Sequence, residues 1–132
     1  MPSPVPPCCP LCDVPSDRVV AQSVHTLTLR DAHPVSPGHT LIVPKRHVAS
    51  FFELSDDDLA DVLSALRAAK SALDAELRPD GYNVGVNVGA AAGQTVMHAH
   101  VHVIPRFAGD TADPRGGVRH CIPGKGYYEP NP

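Results

Sequence analysis

The sequence predicts an α+β domain, a small and mainly antiparallel sheet of about five strands with one main helix packed on it. Three observations carry this expectation. One long stretch, from about Asp56 to Arg78, repeats its apolar residues at helical spacing. Several short runs alternate polar and apolar side chains, or are β-branched, between breaks rich in Pro, Gly and Asp. The chain has 132 residues, enough for one domain with its own core.

Residues 1–17 form a leader that holds six of the 15 prolines and three of the four cysteines, with no regular element expected. Arg18 to Arg30 reads as two short strands with a turn near Gln22–Ser23. The run DAHPVSPG, 31–38, is a loop, and Thr40 to Val43 is a strand ended by Pro44. Ser55 is a natural N-cap for the helix, with Asp58 in a capping-box-like position and Leu54 and Leu59 at the staple positions. Leu59, Val62, Leu63, Leu66, Leu73 and Leu77 make its apolar stripe, and Pro79 and Gly81 stop it. Tyr82 to Val88 reads as a strand with an internal glycine, 89–93 as a small loop, and His98 to Ile104 as a strand ended by Pro105. The organisation expected is a leader (1–17), one domain (18–110) and a tail rich in Gly and Pro (111–132).

Composition excludes several classes. Apolar residues are 42% and charged residues 19%, which is globular rather than disordered. A net charge of −3 argues against a nucleic-acid-polymer surface and a polybasic membrane anchor. No apolar run approaches a membrane span, and MPSPVPPCCP is not a secretory signal, so the expected location is cytoplasmic. Eight histidines against three Phe, three Tyr and no Trp point to metal or acid–base chemistry. In a reducing compartment the cysteines are expected as thiols or metal ligands rather than bridges.

His98-Ala99-His100-Val101-His102 is the centre of the chemistry. Alternation along a strand would put the three imidazoles on one face and Ala99, Val101 and Val103 on the other, under the helix. Such a face could be a polar strand edge, a tri-histidine zinc site or the seat of a nucleophilic histidine. Separately, Cys9-Pro10-Leu11-Cys12 has the spacing with which two thiolates grip one zinc ion. That is half a site; His47 and His98 are available to complete it, and Cys8 could pair with Cys12 in place of Cys9.

The segment from Gly93 through Gln94, Thr95 and the three histidines to Arg106 resembles the signature of the histidine triad (HIT) nucleotide hydrolases. Pro37-Gly38-His39-Thr40-Leu41-Ile42-Val43-Pro44-Lys45 resembles the family's second block. The resemblance implies a HIT-like fold, a homodimer with a continuous sheet, and covalent catalysis. His100 would attack the α-phosphate of a nucleotide conjugate, while His102, His39, Gln94 and the backbone near Gly93–Thr95 hold phosphate oxygens. Asn87 and Thr95 fall at other phosphate-side positions, Asp31 at a ribose-binding position, and the apolar residues around Leu29 and Ile42 would flank the base. Bacterial members resemble the leader arrangement too, which implies one structural zinc per chain on Cys9, Cys12, His47 and His98.

The related nucleotidyl transferases carry Gln at the third triad position, where this chain has His102, so the resemblance favours a hydrolase. Dinucleoside polyphosphates come first as substrates and nucleoside phosphoramidates second. Two rivals stand beside this reading: a non-catalytic nucleotide-binding module on the same fold, and a hydrolase with its metal at the triad. His25 and His33 are expected at the surface. Arg115, Arg119 and Lys125 of the tail could meet further phosphates or dock a partner subunit.

Overall fold

The computed structural model describes residues 9–128. Five strands form one sheet: β1 (Val19–Gln22), β2 (Thr26–Arg30), β3 (Thr40–Pro44), β4 (Gly81–Gly85) and β5 (Val101–Arg106). Their order is β1-β2-β3-β5-β4 and every neighbouring pair is antiparallel. The helix α1 (Asp56–Leu77) joins β3 to β4 and packs on one face. The expected α+β architecture is therefore present.

Alternation decides what each face does. Ile42, Val101, Val103 and, just before β5, Ala99 share a core with Val62, Ala69 and Leu73 of α1. The opposite face buries Leu29, Leu41 and Val43 under Leu11 of the leader. Leu29 and Ile42 thus lie in different cores, both fully buried, so Ile42 cannot flank a base together with Leu29. The physical reason is register: Ile42 pairs with Thr28, and Leu29 with Leu41.

The helix begins as expected. The Ser55 hydroxyl accepts from the Asp58 N–H, and acidic residues fill the first turn, where the helix dipole favours them. The Asp58 carboxylate does not complete a capping box. It is buried between His25 Nδ1 at 3.4 Å and Arg46 Nε at 3.3 Å. The box occurs one turn earlier, at Ser50 and Glu53. Arg78, in the left-handed conformation, ends the helix ahead of Pro79. Leu63 does not belong to the buried stripe: it is 54% exposed, and Ala69 fills the buried face instead.

Strand limits differ from expectation at β4 and β5. β4 stops at Gly85, so Val86 to Val88 lie beyond the sheet. β5 starts three residues late and runs through Pro105. Arg106 accepts from the Asp80 N–H on the β4 side, so Pro105 faces the other way, where β3 pairing has already ended. No ladder bond is lost there, and the Pro105 carbonyl accepts from Ser36 Oγ.

Gly38 keys the helix to the segment that carries His39. Its φ is +82°, and a Cβ there would meet Leu77 Cδ1 at 2.6 Å and Leu73 Cδ2 at 2.9 Å. Gly38→Ala is expected to cost about 2 kcal/mol or more, from left-handed backbone strain plus displaced leucines. A denaturant midpoint within error of wild type would contradict this.

Candidate active site and metal centre

The three triad histidines do not share one face. Strand alternation holds only inside a ladder, and β5 begins at Val101. Residues 98–100 lie before it, with the Ala99 N–H bonded to the Val48 carbonyl. His98 is fully buried and donates from Nε2 to the Pro44 carbonyl at 2.8 Å, where β3 has no β5 partner left. Its Nδ1 faces the leader cysteines. His100 and His102 do stand together, with ring centroids 5.1 Å apart. The tri-histidine metal site is therefore not formed.

Hydrogen bonds define how the site holds its protons. His100 Nδ1 lies 2.7 Å from the His98 carbonyl, which can only accept, so the proton sits on Nδ1 and Nε2 keeps its lone pair. The Val35 N–H donates to His39 Nδ1, which places the His39 proton on Nε2. That Nε2 is 3.0 Å from His102 Nδ1 and 3.5 Å from Asp31 Oδ2. His102 thus accepts at Nδ1 and presents an Nε2–H. A bare nitrogen on His100 stands beside an N–H donor on His102, which is what attack on a phosphate requires.

Asp31, His39 and His102 could also be read as a metal cluster, since their ligand atoms lie within 4.8 Å of one another. The proton on His39 Nε2 points into that space, so the group works as a hydrogen-bond relay. Asp31 also closes its loop by accepting from the His33 N–H.

Gln94 is buried, and its side chain is taken up by backbone. It accepts from the Gly89 N–H and donates to the carbonyls of Ala49 and Val96. It shapes the loop before the triad, and its amide protons are not free for phosphate. Gly93 adopts a left-handed conformation (φ 92°, ψ 10°) that ends the short 3-10 turn Ala90–Ala92. Asn87 and Thr95 are exposed. His33 is exposed, whereas His25 is half-buried against Asp58. The tail holds a further 3-10 turn, Gly117–Cys121, beside β4. Arg115 pairs there with Asp113, and Arg119 lies over Tyr128.

The second cluster is Cys9, Cys12, His47 and His98. Cys12 Sγ is 3.2 Å from His47 Nδ1 and 3.4 Å from His98 Nδ1. Cys9 Sγ is 3.5 Å from His98 Nδ1, and the two Nδ1 atoms are 3.1 Å apart. A tetrahedral zinc with ordinary bond lengths needs ligand separations of roughly 3.3–3.6 Å for these pairs. The residues fit such an ion: the Nε2 proton of His98 leaves its Nδ1 as a ready lone pair, and two thiols face it. Burial and the neighbouring Cys9 push the Cys12 thiol up to about 11, so a bound cation would displace protons. Cys8, the alternative partner of Cys12, lies outside the described residues.

Burial favours the neutral form of three imidazoles, His39, His98 and His102. It lowers the pKa of His39 against an opposing pull from Asp31. It lowers His102, helped by His100 and His39, and it lowers His98, helped by His47 and His100. The unfolded chain, with imidazoles near the ordinary value of about 6.5, then binds more protons than the folded one as pH falls. Stability should be level above pH about 7.5 and decline below about 6.5. Asp61, lowered by bonds from Ser23 and Thr26, and Asp74, lowered by Lys70 and Tyr82, add a separate loss below about pH 4. Melting temperatures measured from pH 8 to 3 check this; a flat profile between 6.5 and 5 would contradict the neutral imidazoles.

A HIT domain model matches residues 14–109. The chain belongs to the HIT family. Among its HIT relatives, an uncharacterized HIT-like protein of Methanocaldococcus jannaschii is 42% identical over 93 residues, 70% of this chain and 71% of that one. An AP-4-A phosphorylase of Mycobacterium tuberculosis is 37% identical over 93 residues, 70% of this chain but only 48% of the relative. Among solved HIT structures, a Zn-bound histidine triad protein of Mycobacterium smegmatis superposes with a TM-score of 0.72 at 31% identity, covering 80% of each chain. No helix among the described residues is long and apolar enough to cross a membrane.

Proposed function

We infer that this HIT protein hydrolyses nucleoside phosphate conjugates, dinucleoside polyphosphates first, through a nucleotidyl-histidine on His100. The observation that carries the reading is the bond from His100 Nδ1–H to the His98 carbonyl, which leaves Nε2 bare beside the His102 donor. Nε2 attacks the α-phosphorus, the bond to the leaving phosphate breaks, and the leaving group departs as an anion that needs no proton. The His102 Nε2–H, held in place by His39, stabilises the charge on the phosphate oxygens. Water then attacks the same phosphorus and the P–N bond breaks; one proton of the water stays on the nucleoside monophosphate, the other passes to solvent, and the P–N electron pair returns to neutral His100.

Asn87 and Thr95 are assigned to further phosphate contacts, Asp31 to the ribose hydroxyls as well as to His39, and the Gly93 backbone to the phosphate side. Gln94 acts as a positioning residue for that loop. Zinc on Cys9, Cys12, His47 and His98 would tie the leader to the sheet and takes no part in bond making. The reading includes a homodimer in the cytoplasm, with β4, the last strand of the sheet, as the place where a second copy would extend it.

A second reading, phosphorolysis, is favoured by the similarity to the mycobacterial AP-4-A phosphorylase. One experiment separates them. In ¹⁸O-labelled water a hydrolase yields nucleoside monophosphate with one ¹⁸O on its phosphate, indifferent to added inorganic phosphate. Acceleration by phosphate with a nucleoside diphosphate product would establish the phosphorylase, and binding without turnover on adenosine and guanosine conjugates would leave a nucleotide-binding module.

A further inference from the structure

His98 touches both functional centres with different atoms. Its Nδ1 faces Cys9, Cys12 and His47 at 3.1–3.5 Å. Its Nε2–H is anchored on the Pro44 carbonyl, and its own peptide oxygen accepts from His100 Nδ1–H at 2.7 Å. We propose that His98 is a positioning residue that couples occupancy of the Cys2His2 centre to the tautomer of the nucleophile, so that metal loading sets how much of the enzyme is competent to attack. This rests on the assignment of His100 as nucleophile.

The coupling is mechanical. Residues 98–100 belong to no strand, so no sheet ladder holds the His98 carbonyl in place. Its position follows from the His98 side chain and from one backbone bond, Ala99 N–H to the Val48 carbonyl. Val48 is itself next to His47, another residue of the centre. A bound cation therefore clamps both segments that place this carbonyl. Without it, the His98 side chain keeps its bond to Pro44 but only weak thiol contacts at Nδ1, and the same weak contacts replace the metal bonds of the two leader cysteines. The His100 proton is then free to move between its two ring nitrogens, and every molecule with the proton on Nε2 has lost the attacking lone pair. Supporting groups around metal ligands commonly affect function 10–100-fold. The relay of Asp31, His39 and His102 is held by separate bonds, from Val35 and His33, so substrate binding should change little.

The test compares zinc-loaded protein, the same protein stripped by a chelator, and the stripped protein reloaded with Zn²⁺ or Co²⁺. The tautomer of His100 is read by ¹⁵N NMR of histidine-labelled protein at one fixed pH. Expected in the loaded states is a single Nδ1–H tautomer with a slowly exchanging proton. Expected in the stripped state is a mixture dominated by the Nε2–H tautomer, with kcat down about 10–100-fold in step with the remaining Nδ1–H fraction and KM within about threefold, both restored on reloading. Replacing Zn²⁺ by Cd²⁺ covers the case in which stripping unfolds the chain, because it lengthens the metal bonds in a protein that stays loaded. There the His100 Nδ1–H resonance should move, and that of His39 much less. A His100 tautomer and resonance indifferent to metal in a folded protein overturns the coupling. A tautomer that follows the metal in a protein with no nucleotide turnover keeps the coupling and removes the proposed activity instead.

Discussion

His100→Ala is expected to lower kcat by at least about 10³-fold while the protein stays folded and still binds nucleoside monophosphate. A thousandfold loss is about 4 kcal/mol of barrier, a reasonable size for removing the only group that makes a covalent bond to phosphorus. Binding should survive because the contacts assigned to it lie elsewhere. His102 and His39 stay linked to each other, and the Val35 N–H still holds His39. The fold should survive because His100 is only half-buried, and the His98 carbonyl it vacates can be reached by water. Steady-state kinetics and calorimetric titration with nucleoside monophosphate read the two halves separately. Turnover near the wild-type rate would remove the covalent mechanism. Loss of binding along with turnover would make His100 a binding residue first.

Cys12→Ser is expected to have the largest effect on stability. Cys12 Sγ lies within 3.4 Å of both imidazole nitrogens of the centre, so its loss removes the ligand closest to the other two elements. The centre joins the leader, the segment after β3 and the approach to β5, and Leu11 between the two cysteines caps the second core. If zinc is present at about a thousand times its dissociation constant, it contributes about 4 kcal/mol to the folded state, and for a domain of this size its loss should lower Tm by roughly 10–15 °C. Metal analysis of freshly purified wild type should give about one zinc per chain, and of the variant close to none. No metal in the wild type, or an unchanged Tm in the variant, contradicts the assignment.

The fold was legible where local chemistry and tertiary context agree. The helix from Asp56, its Ser55 cap, β3 and the apolar side of β5 all follow from periodicity and punctuation. The triad was legible only in part. His100 and His102 alternate with core residues as a strand should, but where the ladder begins is decided by β3 and β4, and that leaves His98 outside it. The same fact turned His98 toward the cysteines, which the C-x2-C spacing and the family resemblance had already suggested. The relay from Asp31 through His39 to His102 could not be read from spacing, because it depends on the β2–β3–β5 register. The capping box at Ser50–Glu53 could have been found from its S-x-x-E pattern. Asp61, which binds Ser23, the His25 N–H and Thr26, gave no local signal, since its partners lie a whole strand pair away. Gln94 looked like a phosphate donor because it stands beside the triad, and only the fold shows that its amide is occupied.

The two-sidedness of β5 bears on how such a protein can diverge. Val101 and Val103 answer only to the helix, and His102 only to the opposite face, although a single peptide bond separates each from the next. Selection can therefore try new reactivities at the even-numbered positions while the odd-numbered ones keep the chain folded. Gly38 is where that independence ends. A side chain there would press on Leu73 and Leu77 and shift His39 with the same movement, so lineages that retain this chemistry should retain a glycine at that position even as the surrounding loop drifts.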